Sequence, residues 1–121
     1  MIFKDTTKKD EFWVIHPLLR EILCVAENFL KKRGQITTIT CLMRNEDEQR
    51  VLFAEGKTEY KTSVHMFGRG GDLRLTEHNS DDSDLINYLN QKYVYDLLRP
   101  GLHTAMIHGG SASHIHIQVL E

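Results

Sequence analysis

The sequence has few of the features that mark membrane or secreted proteins. No stretch of its 121 residues approaches the roughly 20 consecutive apolar residues that cross a membrane. The N-terminal segment carries scattered charges and has no uninterrupted apolar core before a small-residue cleavage site, so no ordinary secretion signal is expected. We therefore expect a soluble chain that is made in the cytoplasm and has no membrane partner.

Cysteine and strong charge of either sign are also scarce. The two cysteines, Cys24 and Cys41, fall in an expected helix and an expected strand, and we interpret them as free small core residues rather than a disulfide. The formal net charge is -2, and the longest basic run is Lys31-Lys32-Arg33. Cations near a helix C-terminus complement the helix dipole, which explains this run without nucleic acid. A nucleic-acid partner is therefore not expected.

The remaining composition is that of an ordinary globular protein, with 40% hydrophobic and 26% charged residues. The length fits one domain over residues 1–121, with one hydrophobic core and one functional site, and we expect a monomer. Residues 1–12 show no clear pattern and are expected to form a loosely held arm.

The spacing of apolar residues predicts a mixture of helices and strands. Helices are predicted over 17–33, 45–56 and about 82–98. Strands are predicted over 36–43, 72–75, 102–108 and 114–120, with a loop from 57 to 70 and a Gly-Gly-Ser-Ala-Ser loop between the last two strands. Because the elements do not alternate strictly as βαβ, we expect an α+β domain with a small, largely antiparallel sheet flanked by helices.

The last strand carries two histidines on one face. Side chains in a strand alternate between faces. The apolar residues of this strand, two isoleucines and a valine, therefore point to one face, while His114, His116 and Gln118 point to the other. The same alternation places Asp72 on the face of its strand opposite the leucines. In the earlier strand it places Thr38, Thr40 and Arg44 on the face opposite Cys41. The polar faces of three strands can therefore share one groove.

A further histidine precedes Asp72 by seven residues, in the segment SVHMFGRGGD. The glycines of this segment allow the backbone to bring His65 and Asp72 toward one point. With His116 they form a set of two histidines and one carboxylate, which is typical of a catalytic zinc site with an open position. One carboxylate leaves the dication with net positive charge, as polarising a carbonyl requires.

These segments resemble a known family. SVHMFGRGGD is similar to the SxHxxGxAxD signature of the D-Ala-D-Ala metallopeptidase group, which includes lysostaphin-like enzymes and the hedgehog fold, with Ser63, His65, Gly68 and Asp72 in register. ITCLMRNEDEQ resembles the SGYRxxxEQ passage of that family, and SHIHIQV its closing HxH strand. The resemblance covers residues 36–120. It departs at Gly70, where the signature has Ala, and in an HIH ending where many relatives have Glu and Trp-His.

The resemblance implies a zinc peptidase of hedgehog/DD-peptidase-like fold that hydrolyses peptide bonds in peptidoglycan stem peptides or cross-links, as a D-Ala-D-Ala carboxypeptidase or an endopeptidase. By position, His114 takes the role of the catalytic histidine that handles a proton. Arg44 is the candidate cation for the oxyanion, and Ser63 is expected to brace the loop or to lie near the metal. The absence of a signal or wall-binding module is similar to phage endolysins, which reach the cell wall after lysis.

Several alternatives stay open at this point. Two histidines and one carboxylate also bind iron in oxygenases, although those enzymes typically use HxD in a double-stranded β-barrel. A non-catalytic zinc-containing module that binds peptidoglycan or protein is the main rival, and a structural or virion protein is another. Arg44 fits a surface position about equally well, and for His108 a solvent-facing role is favoured. The sequence leaves open which peptide bond would be cut.

Overall fold

The computed structural model describes residues 1–57, 63–75, 80–108 and 114–120. In chain order its elements are β1 (Ile2–Phe3), α1 (Thr6–Glu11), α2 (Pro17–Lys31), β2 (Thr37–Cys41), α3 (Glu46–Ala54), a 3₁₀-helix (Val64–Phe67), β3 (Gly70–Leu75), α4 (Ser80–Lys92), β4 (Ala105–His108) and β5 (His114–Gln118). The predicted α+β class is confirmed. None of the helices in these ranges is long and apolar enough to cross a membrane.

The strands form one five-stranded sheet in the order β1-β2-β3-β5-β4. β2 pairs antiparallel with β3, β3 with β5, and β5 with β4, whereas β1 pairs parallel with β2. The expectation of a largely antiparallel sheet is therefore confirmed, with β1 as the exception. The loop predicted between the last two strands, residues 109–113, lies outside the described residues.

The hydrophobic core lies on one face of the sheet. The apolar stripe of α2 is buried against strands β2, β3 and β5, and α4 packs against α2 and β4. Side chains with no exposed surface supply most of this core: Leu19, Ile22, Leu23, Leu30, Ile39, Leu73, Leu85, Leu89, Ile115 and Ile117. Because alternate residues of β3 and β5 point into the core, the residues between them lie together on the opposite face.

The N-terminal residues are not the loosely held arm that the sequence suggested. Ile2 and Phe3 pair with Thr38 and Ile39 of β2, and the backbone N–H of Lys4 continues the pairing to the carbonyl of Ile39. The helix α1 that follows is capped by its preceding aspartate and leads to a buried phenylalanine that packs on Phe3. The prediction was wrong because β1 pairs with β2, a strand far along the chain, and no local pattern reveals such pairing.

Helix α4 ends at Lys92, not near residue 98 as the apolar stripe predicted. Asn90 makes two hydrogen bonds to the backbone of Ala105, and the Thr104 hydroxyl donates to the carbonyl of Tyr93. These bonds tie the end of the helix to the start of β4 and turn the chain away from the helix axis. Leu97, which the stripe placed in the core, is 85% exposed as a result.

Candidate metal centre

Strand pairing brings three potential ligands into one row across the sheet. Cys41 of β2 pairs with Asp72 of β3, and Asp72 pairs with His116 of β5. His114 lies two residues before His116 and pairs with His108 of β4. Directly opposite residues in antiparallel strands share a face with Cβ atoms roughly 5 Å apart. Asp72 therefore sits between a thiol on one side and an imidazole on the other.

The carboxylate of Asp72 lies at the centre of a cluster of three imidazoles. Its Oδ2 lies 3.3 Å from Nε2 of His65 and 3.6 Å from Nε2 of His114, and its Oδ1 lies 2.9 Å from Nδ1 of His116. The side chains of His65, Asp72 and His116 are 4%, 9% and 6% exposed, whereas that of His114 is 25% exposed. The two histidines predicted as ligands and the predicted catalytic histidine thus lie around the carboxylate of the third predicted ligand, Asp72, with His114 on the more exposed side.

The 3₁₀-helix carries His65 into the cluster. The hydroxyl of Ser63 accepts a hydrogen bond from the backbone N–H of His65 at 3.2 Å, and Gly68 ends the turn with a left-handed φ of 67°. Nδ1 of His65 lies 3.0 Å from the carbonyl oxygen of Gly70. A carbonyl only accepts, so Nδ1 donates and Nε2 faces Asp72. Ser63 therefore braces the turn that holds His65, which is one of the two roles expected for it.

Close packing at Gly70 explains why the chain has glycine where the resembled signature has alanine. A Cβ at this position would lie 2.5 Å from Cγ2 of Val64 and 3.3 Å from both Cε1 of His116 and Nδ1 of His65. The first distance is far inside van der Waals contact. The absence of a side chain at Gly70 lets the 3₁₀-helix and β5 bring their histidines together.

His116 is oriented by Gln118, which occupies the same face of β5. The Gln118 amide donates through Nε2 to the backbone carbonyl of His103 at 2.9 Å, so its Oε1 faces Nε2 of His116 at 3.1 Å. Nε2 of His116 therefore donates, and Nδ1 is directed at Asp72. The sequence placed Gln118 on the polar face but assigned it no role.

The donor set of the cluster fits a cation. With Nδ1 of His65 donating to Gly70 and Nε2 of His116 donating to Gln118, the other nitrogen of each ring faces the same carboxylate. A lone pair facing a carboxylate oxygen repels it, so each contact needs a proton or a metal ion between the two atoms. Two neutral imidazoles and one carboxylate are also ligands that zinc accepts.

The electrostatics of the cluster agree with this reading. Burial alone would lower the pKa of His65, but the hydrogen bond and charge of Asp72, with a contribution from Cys41, raise it to about 10. Burial would raise the pKa of Asp72, whereas hydrogen bonds from His116 and His65 hold it well below its usual range. In the protein without metal, a proton on His65 therefore takes the place that a metal ion would fill.

Cys41 is the member of the cluster that strict strand alternation assigned to the wrong face. Within the ranges that the structure describes, one group of potential ligands has atoms that all lie within 4.8 Å of one another, and it consists of Cys41, His65 and Asp72. This group differs from the predicted set in holding Cys41 instead of His116. The register between β2 and β3 shifts between Ile39 and Cys41, and this bulge turns Cys41 toward Asp72.

His108 is a second residue that the sequence placed elsewhere. A solvent-facing role was favoured, but its ring stacks on His116 with centroids 4.7 Å apart and an interplanar angle of 8°. It also contacts His114 edge-on at 5.4 Å. Burial, followed by the charges of His116 and His114, lowers the pKa of His108. His108 pairs directly with His114 across β4 and β5. A correct prediction of the register of this hairpin would therefore have placed His108 beside His114.

Arg44 lies at the edge of the cluster and is not a free surface cation. Its Nη1 donates to Oε1 of Gln49 at 2.8 Å, its Nη2 lies 3.4 Å from Sγ of Cys41, and its backbone N–H donates to the carbonyl of His65. Gln49 has no exposed surface and projects from α3, which begins with the predicted capping pair of Asn45 and Glu48. The sequence did not single out Gln49, although it ends the EQ pair of the resembled passage.

Comparison with known proteins adds no assignment. No protein-family model and no curated protein matches the chain.

Proposed function

We propose that this chain is a zinc-dependent peptidase of hedgehog/DD-peptidase-like fold that hydrolyses peptide bonds in peptidoglycan stem peptides or cross-links. The observation that carries the proposal is the approach of His65, His114 and His116 to a single buried carboxylate, that of Asp72. Each contact between a ring nitrogen and this carboxylate requires a proton or a metal ion, and one metal ion would satisfy both the His65 and the His116 contacts. The resemblance of these segments to the D-Ala-D-Ala metallopeptidase group supports the same assignment.

His65, Asp72 and His116 are the residues that would hold the zinc ion. When bound, zinc supplies a Lewis acid that polarises a peptide carbonyl and makes water more acidic. The carbonyl of Gly70 orients His65, and the side chain of Gln118 orients His116. Such outer partners fix the tautomer of a ligating histidine and raise its basicity.

His114 and Arg44 would act on the substrate. His114 is the most exposed of the three histidines around Asp72, and its Nε2 is the atom that would take a proton from attacking water and pass it to the leaving amine. Arg44 is held by Gln49 at the edge of the cluster, where its guanidinium would stabilise negative charge on the carbonyl oxygen. Nε2 of His114 lies 3.6 Å from Oδ2 of Asp72 and is therefore beside the same centre.

The substrate class and the site of action rest on the resemblance to enzymes of the bacterial cell wall. A terminal D-Ala, an internal cross-link and an L-Ala-D-Glu bond all present the amide that the proposed chemistry requires. The proposal includes action on the cell wall after release from the cell, as phage endolysins act during lysis, by a chain working as a monomer.

Metal content of purified variants tests the ligand assignment. His65→Ala, Asp72→Ala and His116→Ala should each lose zinc and activity together, while His114→Ala should keep zinc and lose turnover. His103→Ala, which removes an exposed imidazole outside the cluster and keeps the backbone carbonyl used by Gln118, is the matched control and should keep both. Loss of zinc from His114→Ala to the same extent as from His65→Ala would show that the division of roles is wrong.

Digestion of peptidoglycan tests the activity. Zinc-loaded protein is incubated with purified muropeptides, and mass spectrometry distinguishes loss of a terminal D-Ala from cleavage of a cross-link or of an L-Ala-D-Glu bond. A chelator should abolish any cleavage, and added zinc should restore it. If zinc-loaded protein binds muropeptides and leaves every one intact, the chain is a zinc-containing binding module and not a peptidase.

A further inference from the structure

The bulge in β2 places a thiol in the histidine cluster. Ile39 pairs with Leu73, and the next pair along the two strands joins Cys41 to Asp72, so Thr40 and Cys41 together face a single residue of β3. Without the extra residue, Thr40 would stand opposite Asp72 and Cys41 opposite Gly71. A bulge redirects the side chains that follow it. Here it brings a sulfur atom, in place of a hydroxyl, beside the central carboxylate.

The distances are close to those of a metal site. Sγ of Cys41 and one ligand atom each of His65 and Asp72 lie within 4.8 Å of one another, and Nε2 of His65 is 3.3 Å from Oδ2 of Asp72. Bond lengths of about 2.1 Å to nitrogen or oxygen and about 2.3 Å to sulfur, at tetrahedral angles, separate ligand atoms by roughly 3.5 Å. The His65–Asp72 distance is already at this spacing, and the limit of 4.8 Å that includes Sγ of Cys41 exceeds it by only about 1.3 Å.

The second contact of Cys41 directs a hydrogen-bond donor at the sulfur. Nη2 of Arg44 lies 3.4 Å from Sγ, and the same guanidinium is fixed by the buried Gln49. The thiolate is the form of cysteine that binds metals, and coordination deprotonates the thiol outright. Arg44 would then donate to a metal-bound sulfur from the outside, as outer partners of ligands do in metal sites.

We propose that Cys41 is a further ligand, as a thiolate, of the metal that His65, Asp72 and His116 would hold. This inference rests on the proposed function, since it requires a metal ion in the cluster. A sulfur ligand selects zinc and other metals that accept thiolate over magnesium, calcium or manganese, which prefer oxygen. With Cys41 bound, the ion would have four protein ligands, two of them anionic, so catalysis would require a fifth position for water, and zinc sites can expand to five ligands. It also explains why the bulge is present where strict pairing would have left Thr40 at the site.

Cobalt substitution tests the proposal on the intact chain. Tetrahedral cobalt bound to the site shows d–d absorption whatever its ligands, and a thiolate ligand adds intense sulfur-to-cobalt charge transfer in the near ultraviolet. The full-length protein loaded with cobalt should show both signals. Cys41→Ser should lose the charge-transfer absorption and keep d–d absorption through His65, Asp72 and His116. Cys24→Ser, which alters the exposed cysteine of α2, is the matched control and should keep both.

The outcomes separate this inference from the proposed function. Cobalt d–d absorption without charge transfer in the unmodified chain would overturn ligation by Cys41 and leave the metal site standing. Failure to bind cobalt or zinc at all would overturn the proposed function and the inference with it. A second measurement needs no variant of Cys41: in the Cys24→Ser background, zinc should slow the reaction of the one remaining thiol with an alkylating reagent. An unchanged alkylation rate in protein shown to hold zinc would also overturn the inference.

Discussion

Replacing Gly70 with alanine should destabilise the protein through the histidine cluster. The new Cβ would lie 2.5 Å from Cγ2 of Val64 and 3.3 Å from one ring atom each of His65 and His116. Val64 is β-branched, and its χ1 angle is therefore stiff. The two imidazoles are held by hydrogen bonds to Gly70 itself and to Gln118. None of the three neighbours can move away without losing contacts of its own.

The size of the effect follows from this overlap. Inserting an extra carbon into a packed region costs about 1–3 kcal/mol, and the contact of 2.5 Å favours the upper part of that range. For a domain of this size, roughly 4 °C of melting temperature is lost per kcal/mol. Positive φ angles occur at Gly34, Gly56 and Gly68 but not at Gly70. Backbone strain at residue 70 therefore does not contribute to the loss of stability. The measured loss in the free energy of unfolding is then due to the overlap of the new Cβ with its neighbours.

Urea denaturation of four proteins measures the overlap with Val64 directly. The set consists of the unmodified chain, Gly70→Ala, Val64→Ala and the double variant. Because Val64→Ala removes the atom closest to the new Cβ, Gly70→Ala should cost less in that background, with a coupling free energy of about 1 kcal/mol or more. Gly101→Ala is the matched control, since a Cβ there meets nothing within 4 Å. A cost for Gly70→Ala no greater than for Gly101→Ala, or one unaffected by Val64→Ala, would refute the reasoning.

Three further predictions concern the metal and the reaction. Because the pKa of His65 is raised to about 10, this residue holds a proton at neutral pH in metal-free protein, so zinc uptake should release protons and zinc affinity should rise with pH up to about 10. An indicator dye that shows no proton release at pH 7 would contradict this. Gln118→Leu should weaken zinc binding by about 10- to 100-fold, measured by competition with a chelator, because His116 loses the acceptor that fixes its tautomer. Arg44→Ala, compared with the unmodified chain at saturating zinc, should lower kcat/KM on a muropeptide substrate by roughly 10²- to 10³-fold; normal kinetics would assign Arg44 a packing role instead.

Local patterns in the sequence determined the parts of the site that depend on near neighbours. Alternation along β5 placed His114 and His116 together opposite the core, because the two-residue period of a strand does not depend on its partners. The capping pair at the start of α3 was identified correctly from Asn45 and Glu48, since both bonds form within one turn. The α+β class followed from the order of such elements.

Other elements depended on contacts between distant parts of the chain. The end of α4 is set by bonds from Asn90 to Ala105, and these overrode an apolar stripe that continued to Leu97. β1 exists because Ile2 and Phe3 find an open edge of β2. Neither feature has a local signal, because an isolated stretch of two residues has no strand periodicity and a helix stripe carries no information about where the chain must turn.

The histidine cluster shows the same division. The sequence supplied His65, Asp72, His114 and His116 by spacing and by resemblance, but only the tertiary structure added Cys41. Strict alternation put Cys41 on the core side of β2, and one extra residue at the bulge moved it beside Asp72. Strand register is set by pairing between chain segments more than thirty residues apart, so a shift of a single residue, which exchanges the two faces of a strand, is invisible until both strands are in place.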